Sequence, residues 1–301
     1  MDRLQRFTAK RRPPKKRMLV TGAKGLLGRE IFHSFCREYE VSAAGVRECD
    51  VTSPMECRRA ILGFRPDVVV HCAAYTAVDK AESEEETAFS VNAFGTRNVA
   101  RLCRETGCLM VTYGSDYVFD GKSTRPYEEE DEAHPLSVYA RSKWGAEQAL
   151  REEDPEFLLI RSQWIYGPHG RNFVFAILDR ARRGEPLRVV SDQTGCPTYA
   201  RDLAEATKRL IDVRARGTFH FSNEGETTWF EFARFILDHA CPGPVSLSSA
   251  RTDELPYPAP RPAYSVLSKE KYRKATGVAP RSWEEALLEF LKRTYEGGVA
   301  W

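Results

Sequence analysis

Short apolar runs alternate with segments of helical periodicity through the first half of the chain. The runs predict buried strands, because continuous apolar stretches of roughly four to eight residues are typical of strands covered on both faces. Five such strands are predicted, at residues 17–21, 41–46, 67–74, 111–115 and 157–161. Strands that alternate with helices imply right-handed crossovers, so the predicted fold is α/β, a Rossmann-type doubly wound parallel sheet.

The helical segments have recognisable starts and lengths. Ser53-Pro54-Met55-Glu56 is a capping box with proline at the first helical position, and it predicts a helix that ends near Phe64. The longest helical periodicity runs from Glu84 to Thr106. Further helices are predicted at 202–211, 228–239 and 283–295, with a loop and short strand at 190–199 and an irregular proline-rich segment at 241–261.

These patterns divide the chain into three parts. Residues 1–16 are basic and contain few apolar side chains, which predicts a flexible tail, with a targeting or docking arm as the alternative. Residues 17–163 are predicted to form an NAD(P)-binding Rossmann domain. Residues 164–301 are predicted to form mainly a smaller C-terminal substrate-binding lobe, with some elements that return to the Rossmann domain.

The first strand leads into a glycine-rich turn and then a helix. Glycines at 22, 25 and 28 let the backbone turn tightly and approach a pyrophosphate, which the N-terminus of the following helix then binds. The spacing is G-x-x-G-x-x-G rather than the commoner G-x-G-x-x-G. The location at the first strand–helix junction favours a dinucleotide site over simple turn chemistry. The predicted pyrophosphate contacts are Gly22, Lys24, Gly25, Leu26, Leu27 and Gly28.

Composition and charge exclude several classes of protein. The chain has 301 residues, with 45 basic and 43 acidic side chains and a net charge of +2, so the charge balance predicts no nucleic-acid partner. Eight cysteines include no C-x-x-C pair, which favours reduced thiols in the cytoplasm. The six histidines include no H-x-x-x-H spacing, so no metal site is predicted. No apolar run reaches membrane-spanning length.

The candidate chemistry lies at the end of one strand and on the helix that follows it. Ser115 ends the predicted strand after Gly114, and Tyr139 and Lys143 are four residues apart on one helical face. Of the 12 tyrosines, only Tyr139 has a lysine four residues later. Alone, this pair is equally well explained by an exposed amphipathic helix. Together with the glycine turn, it predicts proton transfer to a carbonyl oxygen while a cofactor moves a hydride.

Cofactor preference is predicted from the segment that follows the second strand. An NAD-specific site usually carries Asp or Glu about 20 residues past the glycine turn. Residues 42–47 contain no acid and one arginine, Arg47, which would pair with a 2′-phosphate. We therefore predict NADPH as the preferred cofactor, with NADH as the alternative. The competing interpretation of Arg47 is an ordinary surface arginine.

From residue 17 to 295 the sequence resembles the dTDP-4-dehydrorhamnose reductase family of the extended short-chain dehydrogenase/reductase superfamily. The tyrosine–lysine pair alone would indicate only the superfamily, whereas the run from Tyr75 to Glu82 is specific to the family. The resemblance rests on the stretches 20–28, 73–82, 115–121, 164–173, 195–199 and 261–267.

The resemblance implies a role for each matched residue. Tyr139 would donate a proton to the C4 keto oxygen of a nucleotide-linked 4-keto-6-deoxy sugar, and Lys143 would bind the cofactor ribose and lower the pKa of Tyr139 by its charge. Ser115 and Asp116 would complete the catalytic set. Further implied contacts to the cofactor are Arg47, Asp50, Val51, Cys72, Ala73, Ala74, Tyr75 and Asn92. Implied contacts to the sugar nucleotide are Ser115, Asp116, Tyr117, Trp164, Asn172 and Arg261.

Some positions depart from the family pattern or allow another interpretation. Ser115 replaces the usual threonine, Gly114 replaces a serine, and Ser162-Gln163 replace threonine–serine, which would change sugar or nucleotide preference without removing the chemistry. Trp164 is equally well explained as core, Asn172 as a helix cap and Arg261 as a surface residue.

The implied activity is NADPH-dependent reduction of dTDP-4-dehydro-L-rhamnose to dTDP-L-rhamnose for cell-surface polysaccharide synthesis, in a cytoplasmic protein that forms a homodimer. Two alternatives stay open at this stage. One is a non-catalytic regulatory subunit, since the beta subunit of methionine adenosyltransferase resembles the same family. The other is a sister sugar-nucleotide epimerase or dehydratase, which would retain NAD.

Overall fold

The computed structural model describes residues 15–241 and 243–296, so most of the predicted basic tail lies outside the described residues. Over these residues the chain forms twelve strands: β1 Arg17–Thr21, β2 Glu40–Ala44, β3 Val68–His71, β4 Leu109–Ser115, β5 Phe157–Ser162, β6 Ile165–Tyr166, β7 Leu187–Val190, β8 Thr194–Gly195, β9 Thr198–Tyr199, β10 Gly217–His220, β11 Thr227–Thr228 and β12 Leu247–Ala250.

Eleven α-helices connect and cover these strands in the described part of the chain. They are α1 Leu26–Phe35, α2 Pro54–Phe64, α3 Val78–Ala81, α4 Glu85–Phe89, α5 Gly95–Thr106, α6 Val138–Glu153, α7 Phe173–Arg182, α8 Ala200–Asp212, α9 Trp229–Ala240, α10 Glu270–Thr276 and α11 Trp283–Glu296. Ser90–Phe94 forms a π-helical segment, and Asp116–Val118 and Thr252–Glu254 form 3₁₀ turns.

A six-stranded sheet in the order β10-β5-β4-β3-β1-β2 organises the molecule. All five pairings are parallel, which confirms the predicted α/β class with a doubly wound sheet. The chain passes from β1 to β2 on one side and then crosses to β3 on the other. The carboxyl ends of β1 and β3 therefore flank the point where the strand order reverses, which is where ligands bind in such sheets.

Alternating side chains of the central strands pack on opposite faces of the sheet. Met18 and Val20 join one core cluster with residues of α1 and α8, whereas Leu19 joins a second cluster with residues of α2 and α5. A third cluster, built around Phe232 and Phe290, joins α7, α9 and α11. This arrangement explains why the central strands are mostly apolar and are buried at nearly every position.

The structure corrects several boundaries of the sequence prediction. β3 ends at His71, so the apolar residues 72–74 form a loop at the strand end rather than more strand. The helix predicted from Glu84 to Thr106 is divided by the π-helical segment Ser90–Phe94. The segment 241–261 was predicted to be irregular, but it contains β12, which pairs in parallel with β7. No helix within the described residues is long and apolar enough to cross a membrane.

Candidate active site

A cleft of about 510 Å³ opens at the carboxyl ends of β1, β3, β4 and β5. Most of the residues that the sequence singled out line it. They are Gly25, Leu26, Leu27, Gly28, Cys72, Ala73, Ala74, Asn92, Ser115, Asp116, Tyr117, Tyr139, Lys143 and Trp164. The other sequence-predicted residues are not part of its described lining: Gly22, Lys24, Arg47, Asp50, Val51, Tyr75, Asn172 and Arg261.

Two glycines of the turn after β1 accept no side chain. A Cβ on Gly22, whose φ is +64°, would lie 2.5 Å from the Ala73 nitrogen, and a Cβ on Gly28 would lie 2.4 Å from the Gly22 oxygen. The backbones at the ends of β1 and β3 therefore touch, and α1 begins at Leu26 directly beneath them. No acidic residue occupies the first turn of α1. This cradle and the positive end of the α1 dipole fit the pyrophosphate of a dinucleotide.

An acidic residue, Glu48, lies in the loop after β2, one residue beyond the segment 42–47 that was used to predict cofactor preference. Glu48 accepts a hydrogen bond from the Gly45 nitrogen at 2.8 Å and pairs with Lys24 at 2.9 Å. The Lys24 and Gly45 contacts lower the pKa of Glu48. Arg47 is exposed beside them. A cofactor bound at this loop would therefore lie near two cations, Lys24 and Arg47, and one anion, Glu48.

Both polar atoms of the Asn92 side-chain amide form hydrogen bonds that hold the loop after β3 in place. Its Oδ1 accepts from the Tyr75 nitrogen at 2.8 Å, and its Nδ2 donates to the Tyr75 oxygen at 3.1 Å and to Ser142 Oγ at 2.8 Å. The asparagine is 2% exposed. It lies in the π-helical segment, where the extra residue in the turn directs the side chain to both partners. Asn92 thereby ties the cleft loop to α6.

Ser115 and Tyr139 meet at the carboxyl end of β4. The Ser115 hydroxyl donates to Asp116 Oδ1 at 3.2 Å and also stabilises the ionised form of Tyr139. Burial nevertheless raises the pKa of Tyr139 to about 12. The prediction that the Lys143 charge lowers the pKa of Tyr139 is therefore wrong for this structure. A phenol with this pKa is fully protonated at neutral pH, which is the form that a proton donor requires.

Lys143 lies one helical turn after Tyr139 and is 8% exposed. Its Nζ donates to the Tyr113 carbonyl at 2.7 Å, so the ammonium faces the backbone of β4. Burial lowers the pKa of Lys143 to about 8, and the nearby Glu147 carboxylate opposes that shift. The lysine therefore keeps a positive charge near neutral pH inside the cleft.

Asp116 is 2% exposed, and burial raises the pKa of its carboxyl to about 7. Because the folded pKa exceeds the unfolded value near 3.8, this group's contribution to stability is complete below pH ~4 and is lost as pH rises through about 7.

We predict that Asp116→Asn increases the free energy of unfolding at pH ~8 by on the order of 3 kcal/mol. Urea unfolding across this range should show the gain shrink toward pH ~4, and a constant gain would contradict the assignment.

An aromatic stack forms the opposite wall of the cleft. The Trp164 ring stacks on Trp229 with centroids 3.6 Å apart, and Trp164 has a left-handed backbone, with φ of +47°. A Cβ on Gly195 would lie 2.6 Å from the Trp164 ring, so only glycine fits behind it. A bulky residue held at positive φ is strained, and such strain is concentrated at ligand sites.

Asn172 and Arg261 have structural partners outside the described cleft lining. Asn172 caps α7 by accepting from the Phe175 nitrogen at 3.2 Å. The Arg261 guanidinium donates to Asp79 at 2.8 Å and lies over the Tyr257 ring. These contacts favour the cap interpretation of Asn172. They also make Arg261 an anchor between the segment after β12 and helix α3.

The cleft residues that were not predicted as ligands from the sequence include Gln163, Arg171 and Trp229. Trp229 begins α9, more than sixty residues from its stacking partner, and nothing local indicates that contact. Arg171 is an exposed cation beside the predicted Asn172, and its place in the family-like run could have identified it. Within the described residues, no group of three or more His, Cys, Asp or Glu side chains could hold a metal ion.

The fold, the glycine cradle and the Ser115–Tyr139–Lys143 set define an extended short-chain dehydrogenase/reductase. Residues 16–296 match the family model described as RmlD substrate binding domain. The chain belongs to this family.

Relatives of known name support the same placement. The chain is 41% identical over 285 residues to a dTDP-4-dehydrorhamnose reductase of Mycobacterium tuberculosis, with 92% of each chain covered. It is 42% identical over 284 residues to a probable dTDP-4,6-dihydroxy-2-methyloxan-3-one 4-ketoreductase of Streptomyces antibioticus, covering 91% of this chain and 94% of the relative. A crystal structure of the Bacillus anthracis dTDP-4-dehydrorhamnose reductase in complex with NADP has a TM-score of 0.90 and 35% identity, covering 93% of this chain and 100% of the other.

Proposed function

We propose that this protein reduces the C4 keto group of a dTDP-linked 4-keto-6-deoxy sugar, converting dTDP-4-dehydro-L-rhamnose to dTDP-L-rhamnose with NADPH for cell-surface polysaccharide synthesis. The observation that carries the proposal is the convergence of Ser115, Tyr139 and Lys143 beside the glycine cradle in one cleft. The relatives named as reductases and as a ketoreductase support the choice of substrate class.

The residues of the chain divide the work of the reaction. When bound, NADPH supplies the hydride. The Ser115 hydroxyl turns from Asp116 Oδ1 to donate its hydrogen bond to the C4 keto oxygen, and Tyr139 Oη gives its proton to the same oxygen as negative charge develops there. The Lys143 ammonium, held by the Tyr113 carbonyl, binds the cofactor ribose and supplies positive charge within the cleft.

The rest of the site holds the two ligands. The N–H groups at the start of α1 bind the pyrophosphate of the cofactor. The Trp164–Trp229 stack presents an aromatic wall to the sugar nucleotide and excludes water from it. We further propose that residues 17–163 form the cofactor domain and residues 164–301 mainly the substrate lobe. On the basis of the family resemblance, we propose that the protein works as a homodimer in the cytoplasm.

Turnover with the named substrate tests the function directly. The protein is incubated with NADPH and dTDP-4-dehydro-L-rhamnose, and the absorbance of the reduced nicotinamide and the sugar product are followed. Stoichiometric oxidation of NADPH with formation of dTDP-L-rhamnose is expected. No turnover would favour a regulatory subunit, whereas conversion of a sugar nucleotide without net cofactor oxidation would favour an epimerase or dehydratase.

Cofactor preference should depend on the charges at the end of β2. We predict that the parent has a higher kcat/KM with NADPH than with NADH. Arg47→Ala should reduce the ratio of these two values by roughly tenfold, because a charge-assisted contact to the 2′-phosphate is lost. Glu48→Gln should shift the preference in the opposite direction, because it removes a negative charge beside Lys24 and Arg47. The ratio of kcat/KM for NADPH and NADH measures both effects, and equal efficiency of the parent with the two cofactors would refute the prediction.

A further inference from the structure

Two polar side chains occupy matching positions at the ends of β4 and β5. Ser115 pairs with Ser162 in the sheet register, and Asp116 and Gln163 are the next residues of the two strands. Each is 2% exposed, and both line the cleft. Because neighbouring parallel strands lie about 4.8 Å apart, the two side chains start close together at the edge where ligands bind.

The orientation of the Gln163 amide is fixed by its partners. A backbone N–H can only donate, and the Cys196 nitrogen donates to Gln163 Oε1 at 3.0 Å. The Ser265 hydroxyl also approaches Oε1, at 3.4 Å. The other end of the amide must therefore be the NH₂ group. Within the described part of the chain, this buried Nε2 has no hydrogen-bond partner.

The Asp116 carboxyl shows the complementary feature. Its Oδ1 accepts from the Ser115 hydroxyl, and the nearby Ser265 hydroxyl lowers the pKa of the carboxyl, but the buried Oδ2 has no partner within hydrogen-bond distance among the described residues. The buried donor on one strand and, in the ionised form of Asp116, the buried acceptor on the next are both unsatisfied, which is unfavourable in a folded protein unless a ligand completes them.

We infer that Gln163 determines specificity by donating a hydrogen bond from Nε2 to a ring hydroxyl of the sugar, whose own proton is accepted by Asp116 Oδ2. This inference rests on the proposed function. A hydroxyl is the one sugar substituent that accepts and donates at once, so it satisfies both groups. The C4 keto oxygen can only accept hydrogen bonds, and in the proposed mechanism Ser115 and Tyr139 already donate to it.

The inference concerns a position where the sequence was expected to depart from the family pattern, with Gln163 in place of a serine. A serine side chain is two carbons shorter and carries no NH₂ group, so it cannot reproduce this pair of contacts. The candidate hydroxyls are those at C2 and C3 of the sugar. The Streptomyces antibioticus relative is named for a sugar with one ring hydroxyl fewer than dehydrorhamnose, so this difference matters within the family.

Binding of deoxygenated ligands to two variants tests the inference. Calorimetry on the NADP⁺-loaded protein measures the Kd of dTDP-L-rhamnose and of its 2-deoxy and 3-deoxy analogues. Gln163→Glu keeps the acceptor for the Cys196 N–H but removes the donor, and Gln163→Met removes both polar ends at similar volume. Gln193→Glu is the matched control, because Gln193 is equally buried but donates to Thr252 and is not in the described cleft lining.

The parent should bind dTDP-L-rhamnose about tenfold or more tightly than one of the two deoxy analogues. Both Gln163 variants should lose that discrimination, and Gln193→Glu should retain it. Equal weakening of all three ligands in the Gln163 variants would overturn the inference, as would a parent that does not discriminate, because a bridging water would then serve the pair. Parent turnover of dTDP-4-dehydro-L-rhamnose reports on the proposed function separately. A parent that binds no dTDP-sugar would overturn both.

Discussion

Replacing Tyr139 by phenylalanine is expected to lower kcat by about 10²–10⁴, the usual contribution of a positioned general acid. The change removes the hydroxyl and keeps the ring, which packs edge-to-face on Tyr117 with centroids 5.7 Å apart. The variant should therefore fold normally. It should also bind NADPH, because the glycine turn and Lys143 are unchanged. Steady-state kinetics with dTDP-4-dehydro-L-rhamnose and a separate titration with NADPH measure the two properties.

A second tyrosine provides a matched control. The Tyr166 hydroxyl is buried and has no hydrogen-bond partner in the described residues, and Tyr166 lies outside the described cleft lining, so Tyr166→Phe should keep the parent's rate. Lys143→Met should lose both turnover and cofactor affinity, because the lysine serves both. If Tyr139→Phe keeps the full reductase rate, the assignment of the proton donor is wrong. A regulatory subunit would instead show no turnover in the parent.

The central sheet was predictable because its strands are covered on both faces. β1, β3, β4 and β5 each contain a run of three or more apolar residues, and the glycine turn identifies the first strand–helix junction. The sixth strand, β10, was not predicted. It is four residues long, includes glycine, threonine and histidine, and becomes a strand by pairing with β5, about sixty residues earlier in the sequence. Pairing over this separation leaves no local periodic signal.

The candidate site likewise contains some residues that local sequence patterns predict and others whose role depends on tertiary contacts. Ser115, Tyr139 and Lys143 were predictable because their chemistry follows from residue type, spacing and position in the fold. Gln163 was noticed only as a departure from the family, since its free NH₂ group follows from a contact with Cys196 that the fold creates. Glu48 was missed because the loop after β2 folds it back onto Gly45, beyond the segment searched for an acid.

Gly114 illustrates a departure whose explanation changes once the structure is known. From the sequence, its replacement of a serine was expected to change sugar or nucleotide preference. Gly114 lines the cleft, but a Cβ there would lie 2.7 Å from Arg161 Cγ and 2.8 Å from Glu147 Oε1. The glycine is therefore explained by the buried ion pair behind it, which no pattern in the sequence indicates.

This ion pair predicts the largest effect on stability: Glu147→Ala should lower the free energy of unfolding by about 3–5 kcal/mol. The Arg161 Nε and Nη2 donate to the two Glu147 oxygens at 3.0 and 2.8 Å, and both side chains are at most 2% exposed. Arg161 Nη1 also lies 3.3 Å from His220 Nε2. Burial holds the pKa of His220 well below its usual value, so the neutral imidazole can accept this bond but cannot neutralise the arginine.

Removing Glu147 alone would leave the Arg161 charge buried and without its carboxylate. Urea unfolding measures the loss. Glu152→Ala is the control on the same helix, because Glu152 is 62% exposed in its pair with Arg97, and exposed pairs contribute about 1 kcal/mol or less. The double variant Glu147→Leu with Arg161→Met should recover much of the stability, since apolar side chains of similar volume often replace a buried pair without loss. A Glu147→Ala protein as stable as Glu152→Ala would show that the buried arginine does not depend on its carboxylate partner.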